Sequence, residues 1–114
     1  MKPNDFRRVA LSLPEASESA HVGHPDFRVG GKIFSSLGYP DDEFGVVMLS
    51  PEQQEKFVRK DPKSFAPVKG TWGQHGSTKI RLETVDADTM RSAITTAWLR
   101  IAPKRLAKTF ASDE

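Results

Sequence analysis

The chain has 114 residues, no cysteine and a net charge of +2. This length is typical of one domain, and the lack of cysteine excludes disulfides, thiolate metal sites and thiol nucleophiles. The N-terminus is polar from the start, and the longest apolar run, Val46-Val47-Met48-Leu49, is far shorter than the roughly 20 residues of a membrane-spanning helix. We therefore expect one cytoplasmic domain over residues 1–114, without a signal peptide or a membrane span.

The first predicted element is an amphipathic helix from about Pro3 to Leu13. Its apolar side chains recur with the period of a helix, at Phe6, Val9, Ala10 and Leu13. Pro14 ends this helix, because the residue before a proline is pushed out of the helical region of backbone space.

A stretch rich in strands follows, with one strand predicted over residues 18–24. Gly30-Gly31 then separates two apolar runs, which is a strong signal for a two-residue hairpin because both turn positions accept a positive φ. Strand alternation places one set of side chains on one face of this hairpin, namely Phe27, Val29 and Phe34. The other face carries Arg28, Ile33 and Ser35.

The middle of the chain alternates between strands and a helix. The apolar strand 44–49 is expected to be central in the sheet. Ser50 and Gln53 form a capping box around Pro51, which predicts a helix to about Lys60. A short strand over 64–68, a glycine-rich loop over 69–77 and a half-buried strand over 78–84 are expected next.

A long amphipathic helix closes the chain, and Asp86 or Asp88 can cap it. Its apolar side chains are Met90, Ala93, Ile94, Ala97, Trp98 and Ile101. Pro103 opens a final helical turn or two, and residues 111–114 are expected to fray. The whole order of elements predicts an α+β fold, with a two-layer arrangement of one antiparallel sheet packed against helices.

Four segments, in this order along the chain, resemble the YjbR/MmcQ family of small bacterial proteins. They are Phe27-Arg28-Val29-Gly30-Gly31-Lys32-Ile33-Phe34, Val47-Met48-Leu49-Ser50-Pro51-Glu52, Trp72 ahead of Thr78-Lys79-Ile80-Arg81-Leu82, and Ala97-Trp98 with Ala102-Pro103-Lys104-Arg105-Leu106. The resemblance implies a fold similar to that of the CyaY/frataxin proteins and DNA binding through strand-and-turn wings. It supplies no catalytic residues. In the commoner family pattern a histidine–tryptophan pair precedes the strand that begins here at Thr78, whereas this chain has Trp72 and His75 earlier.

Cations concentrate between residues 56 and 81, where seven bases accompany one acid. Cations on strands and turns at outward positions, both in this segment and in the hairpin around Gly30-Gly31, are candidates for contacts with DNA phosphates, which would give weak binding through the DNA backbone. The candidates are Arg28, Lys32, Lys69, Lys79 and Arg81. The alternative interpretation is an ordinary solvated surface.

Trp72 in the glycine-rich loop is a candidate for a second kind of site, because tryptophan is enriched at binding hot spots. With Tyr39, Phe65 and His75 it is predicted to form a groove for a ligand or a protein partner. The alternative is that Trp72 covers an edge of the sheet.

His21 and His24 are candidates for metal ligands, with Asp26 or Glu18 adding an oxygen. On a single strand, residues i and i+3 face opposite sides, so two separate histidines are the favoured interpretation. No serine lies in a G-x-S-x-G pattern, and the glycines around Gly73 do not form a phosphate-binding loop. We expect a monomeric, non-catalytic domain without a cofactor.

Overall fold

The structure, a computed structural model, describes residues 1–113 as five helices and six strands. The helices are α1 Pro3–Ser12, α2 Pro51–Lys60, α3 Thr71–Gln74, α4 Ala87–Ile101 and α5 Lys104–Asp113. The strands are β1 Ser17–His21, β2 His24–Val29, β3 Lys32–Leu37, β4 Phe44–Met48, β5 Phe65–Pro67 and β6 Ser77–Arg81. The backbone of α5 is helical to Asp113, where fraying was expected, and Glu114 lies outside the described residues. None of the described helices combines the length and the apolar character needed to cross a membrane.

The six strands form one antiparallel sheet in the order β1-β2-β3-β4-β6-β5. β4 lies between β3 and β6, which confirms its predicted central position. Helices α1 and α4 pack on one face of the sheet, where Phe27, Val47 and Ile80 share the core with helix residues such as Phe6 and Trp98. The predicted α+β class, an antiparallel sheet packed against helices, is confirmed.

The predicted capping residues fix the starts of α2 and α4. Ser50 Oγ accepts a hydrogen bond from the Gln53 backbone N–H at 3.2 Å, and Gln53 Oε1 accepts one from the Ser50 N–H at 2.9 Å. Asp86 caps α4, because its Oδ1 accepts a hydrogen bond from the backbone N–H of Thr89 at 2.7 Å. Each cap satisfies backbone donors that have no partner within their helix.

A β-bulge corrects the predicted faces of the β2–β3 hairpin. Phe27 pairs with Ser35 but Arg28 pairs with Ile33, so Phe34 is an extra residue in β3. Phe27 and Phe34 are fully buried in the core, as predicted. Ser35 is also fully buried, and its hydroxyl has no hydrogen-bond partner in the part of the protein whose side chains are described, residues 1–110. The prediction that Ser35 shares the face of Arg28 and Ile33 was wrong, because the bulge shifts the alternation by one residue.

The single strand predicted over residues 18–24 is two strands, β1 and β2, joined by a tight turn at Val22-Gly23. Both turn residues have positive φ, 49° and 79°, as in the two-residue turns that suit antiparallel hairpins. Valine rarely adopts such a backbone conformation, so this turn had no sequence signal. His21 and His24 are consequently direct partners across the two strands and lie on the same face.

Candidate ligand-binding site

The face of the sheet opposite α1 and α4, here called the open face, carries the candidate site. Strand alternation places on it Asp26, Ser36, Val46 and Lys79, which are aligned across β2, β3, β4 and β6. Val46 is only 4% exposed although it lies outside the core cluster. Neighbouring side chains on the open face therefore cover it.

A cavity of about 330 Å³ lies on the open face. This volume falls at the lower end of the range found for small-molecule sites in proteins. Most of its lining is apolar or aromatic and comes from Ile33, Tyr39, Val46, Met48, Val68 and Trp72. The polar atoms come from His21, His24, Ser36 and Ser77.

Two exposed aromatic side chains stand at this cavity. Trp72 is 72% exposed and Tyr39 is 44% exposed, the highest values for phenylalanine, tyrosine and tryptophan residues in the described part of the chain. Trp98, the other tryptophan, is fully buried in the core and donates its Nε1–H to the Pro14 carbonyl oxygen at 3.1 Å. The fold thus uses one tryptophan for packing and leaves the other accessible.

Trp72 lies on α3, a one-turn helix within the segment predicted as a glycine-rich loop. The backbone of this segment sits directly against its neighbours. A Cβ atom on Gly73 would lie 1.7 Å from the Val68 carbonyl oxygen, and one on Gly76 would lie 1.9 Å from the Leu49 carbonyl oxygen. Glycine is therefore required at both positions for α3 to reach its place in the structure.

Gln54 of α2 clamps the same segment. Its side-chain Nε2 donates hydrogen bonds to the carbonyl oxygens of Gly73 and Ser77, each at 3.1 Å. These bonds link the end of α3 and the start of β6 to a capped helix. Trp72 is consequently exposed on a backbone that is held in position.

A buried carboxylate lies beside the cavity. Asp26 is 0% exposed, and its Oδ1 accepts a hydrogen bond from Arg28 Nε at 2.8 Å while its Oδ2 accepts one from Arg28 Nη2 at 3.1 Å. Nδ1 of His21 lies 2.8 Å from the same Oδ2. The Arg28 hydrogen bonds lower the pKa of Asp26 below its ordinary value, burial opposes this shift, and His21 adds to the lowering. Asp26 is therefore a carboxylate at neutral pH.

The β1–β2 turn brings His21 and His24 together, contrary to the expectation of opposite faces, and both line the cavity. The proposed oxygen ligands do not complete a metal site. Glu18 alternates to the other face of β1, where its Oε1 accepts a hydrogen bond from Arg7 Nε at 3.0 Å. Among the side chains that the structure describes, those of residues 1–110, no group of three or more histidines or carboxylates is placed to hold a metal ion.

The family model for YjbR matches residues 11–100, most of the chain and all strands of the sheet. The chain belongs to the YjbR family. This finding confirms the resemblance based on the four sequence segments. It also places both sides of the cavity, the β1–β2 hairpin and α3, inside the matched region.

A solved structure shares the fold of this YjbR chain. It is the crystal structure of the Deinococcus radiodurans protein DR2400, a domain of the family DUF419. The TM-score is 0.76 at 20% sequence identity, and the similarity covers 96% of this chain and 88% of the other. At this identity the similarity concerns the fold alone. No match is found among curated proteins.

Two of the five cations proposed to contact phosphates lie together on the open face. Lys79 Nζ lies 5.3 Å, and the guanidinium carbon of Arg81 4.8 Å, from the centre of the Phe44 ring. Neither cation forms a salt bridge within the described residues. These two side chains therefore keep their charge available at the surface.

The structure places the other three cations apart from this pair. Arg28 is on the open face, but its guanidinium is bound to Asp26. Lys32 is exposed at the β2–β3 turn, and Lys69 is exposed in the connection between β5 and α3.

Of the residues predicted to form the groove, Trp72 and Tyr39 line the cavity. His75 is exposed at the end of α3 and is not part of the lining. Phe65 was wrongly assigned to the groove: it aligns with Ile80 on the core face of the sheet and is 1% exposed. Met48 was not predicted to line the cavity. It belongs to a strand that is apolar throughout, so the sequence does not indicate which of its side chains point to the core and which to the open face.

Proposed function

We propose that this YjbR protein is a non-catalytic binding domain that takes a flat aromatic group of a small molecule into the cavity on the open face. The observation that most directly supports this proposal is the exposure of Trp72. Removing apolar surface from water stabilises by about 25 cal/mol per Å², yet α3 holds this indole largely in solvent beside an apolar cavity. A ligand that covers the ring gains this free energy.

The site has the properties expected for a preformed small-molecule site. It is concave and mainly apolar, and it contains a few polar groups that could orient a ligand. Aromatic rings attract one another in offset or edge-to-face arrangements, so Trp72 and Tyr39 favour a ligand with a ring. Because Gln54 and the packed glycines hold α3, little ordering of the backbone is needed on binding.

The methionine side chains provide a direct test of ligand entry. The chain has three methionines: Met48 lines the cavity, Met90 is 1% exposed in the core, and Met1 is at the N-terminus. With ¹³C-methyl-labelled methionine, we expect indole, benzofuran or naphthalene to shift the Met48 methyl signal and leave that of Met90 in place. Trp72→Ala is expected to weaken binding about tenfold, since it removes a ring contact worth about 1.4 kcal/mol.

The matched control is Leu11→Ala, which truncates an exposed apolar side chain on α1. It should leave the affinity of the parent protein unchanged, and both variants should unfold within about 0.5 kcal/mol of the parent. The proposal fails if none of the three probes shifts the Met48 methyl signal up to its solubility limit. Equal affinities for the parent and Trp72→Ala would also contradict it.

As a second candidate we propose weak, sequence-independent DNA binding, with Lys79 and Arg81 as the main phosphate contacts. The observation that favours it is that both cations lie on Phe44 and form no salt bridge within the described residues. Both positive charges are therefore available to attract a polyanion. The family resemblance implies the same activity. Further phosphate contacts, at the edge of the bound DNA, would come from Lys32, Lys69 and Arg28.

DNA binding is tested by fluorescence anisotropy of labelled DNA at several salt concentrations. We expect the Lys79→Glu/Arg81→Glu variant to lose most of the affinity for duplex DNA. The slope of log affinity against log salt should fall by about 1.8, or about 0.9 for each phosphate contact removed. Lys56→Glu/Lys104→Glu makes the same change of charge at exposed positions on α2 and α5. If this control loses as much affinity, the change in net charge alone explains the effect, and Lys79 and Arg81 are not the main phosphate contacts.

A further inference from the structure

The position of one hydrogen atom at the cavity follows from the buried carboxylate. Asp26 has no hydrogen to donate as a carboxylate, so the hydrogen in its 2.8 Å contact with His21 must be on Nδ1 of the imidazole. The second nitrogen of a neutral imidazole is then an acceptor without a hydrogen. Nε2 of His21 has no hydrogen-bond partner among the side chains of residues 1–110 or the described backbone, and its ring lines the cavity.

Arg28 keeps this arrangement in place. Its two hydrogen bonds, at 2.8 and 3.1 Å, fix both oxygens of Asp26, and the side chain of Asp26 has no exposure through which water could replace His21. A hydrogen-bonded partner on one ring nitrogen sets the tautomer and orientation of a histidine. His21 therefore presents an oriented acceptor, held by two residues that do not themselves line the cavity.

We infer that His21 Nε2 is the polar anchor of the cavity, and that it selects flat aromatic ligands that carry an N–H or O–H donor at the ring edge. The inference rests on the proposed function, because it concerns the ligand class of the same cavity. A site built around a buried or fixed hydrogen-bonding group discriminates against analogues that lack the matching group. Indole and phenol are simple members of the favoured class, whereas benzofuran has the same shape as indole but lacks the donor.

His24 supplies the internal comparison. It is the direct cross-strand partner of His21 and also lines the cavity. Its ring packs against Gly38, where a Cβ atom would lie 3.0 Å from His24 Nδ1, and it has no carboxylate partner within the described residues. The structure thus fixes the tautomer of one cavity histidine and leaves that of the other unset.

The first measurement needs no ligand. Long-range ¹H–¹⁵N correlation spectra of the full chain at pH 8 report the tautomer of each of the three histidines, assigned with single His→Phe variants. We expect His21 in the form protonated at Nδ1. Asp26→Asn should abolish this preference while the Met90 methyl signal shows that the core is intact. A His21 protonated mainly at Nε2 in the parent protein would overturn the inference.

The second measurement compares the affinities of indole and benzofuran, read from the Met48 methyl signal. We expect indole to bind about fivefold more tightly, the effect of one ordinary hydrogen bond. His21→Phe should make the two affinities equal, whereas His24→Phe should keep their ratio even if both affinities change. If both probes bind the parent equally, His21 is not the polar anchor, but the proposal that the cavity binds aromatic ligands is retained. If only naphthalene binds, His21 is likewise not the polar anchor and the proposal for the cavity is retained. If none of the three probes binds, the proposed function fails and the inference fails with it.

Discussion

Gly73→Ala is expected to destabilise the protein by about 3 kcal/mol and to abolish binding of aromatic probes at the cavity. The added Cβ would lie 1.7 Å from the Val68 carbonyl oxygen and 2.7 Å from its carbonyl carbon, and both are backbone atoms that no side-chain rotation can move. Helix α3 must therefore move away from Val68, at the cost typical of overpacking against a rigid neighbour. Urea unfolding monitored by circular dichroism measures the loss, which corresponds to a fall of roughly 12–24 °C in Tm.

Gly31→Ala is the matched control for this prediction. Gly31 lies in the two-residue β2–β3 turn with a φ of +80°, and nothing lies within 4 Å of a Cβ built on it. Its replacement should cost only the strain of an alanine at positive φ, about 1 kcal/mol. Trp72→Ala, which truncates the exposed side chain next to Gly73, should change stability still less. Equal losses for Gly73→Ala and Gly31→Ala would mean that α3 does not pack on Val68.

The elements of the fold could be predicted from sequence where local patterns agree with tertiary packing. The capping box at Ser50, the helical stripe that includes Trp98 and the Gly30-Gly31 hairpin all appear as expected. The errors arise where one residue departs from its usual preference. Val22 adopts a positive φ in a turn without a turn signal, and the bulge at Phe34 buries a serine that simple alternation would expose.

The candidate site was only partly predictable, because it depends on contacts between residues far apart in sequence. Trp72 and Tyr39 were recognised from residue type alone. The pairing of His21 with Asp26 needed the unexpected hairpin turn, and the clamp of Gln54 on Gly73 spans 19 residues. Gly73 itself looks like one of several loop glycines. Only the approach of the Val68 backbone shows why this position tolerates no side chain.

Asp26→Asn is expected to cost about 2 kcal/mol of unfolding free energy at pH 7. The substitution removes the charged acceptor of two Arg28 hydrogen bonds and one from His21, and hydrogen bonds to a charged group contribute about 1.5–3 kcal/mol. Because the side chain of Arg28 is 34% exposed, the guanidinium can regain water, which keeps the loss below that of a fully buried pair. Glu18→Gln is the matched control: its ion pair with Arg7 is about one-third exposed on both sides, so it should cost no more than about 0.5 kcal/mol.

The stabilisation by Asp26 should also depend on pH with a defined sign. Its pKa in the folded protein lies below the ordinary value of 3.8, chiefly because Arg28 donates hydrogen bonds to the carboxylate. The unfolded state therefore binds this proton first as the pH falls, so the contribution of Asp26 is present above its unfolded-state pKa and is lost as the pH falls through its folded-state pKa. The difference in unfolding free energy between the parent and Asp26→Asn should be larger at about pH 5 than at about pH 3. Urea unfolding of both proteins across this range tests it. A difference that grows from pH 5 to pH 3 would mean that the pKa of Asp26 is not lowered in the folded protein and that Arg28 is not bound to a carboxylate.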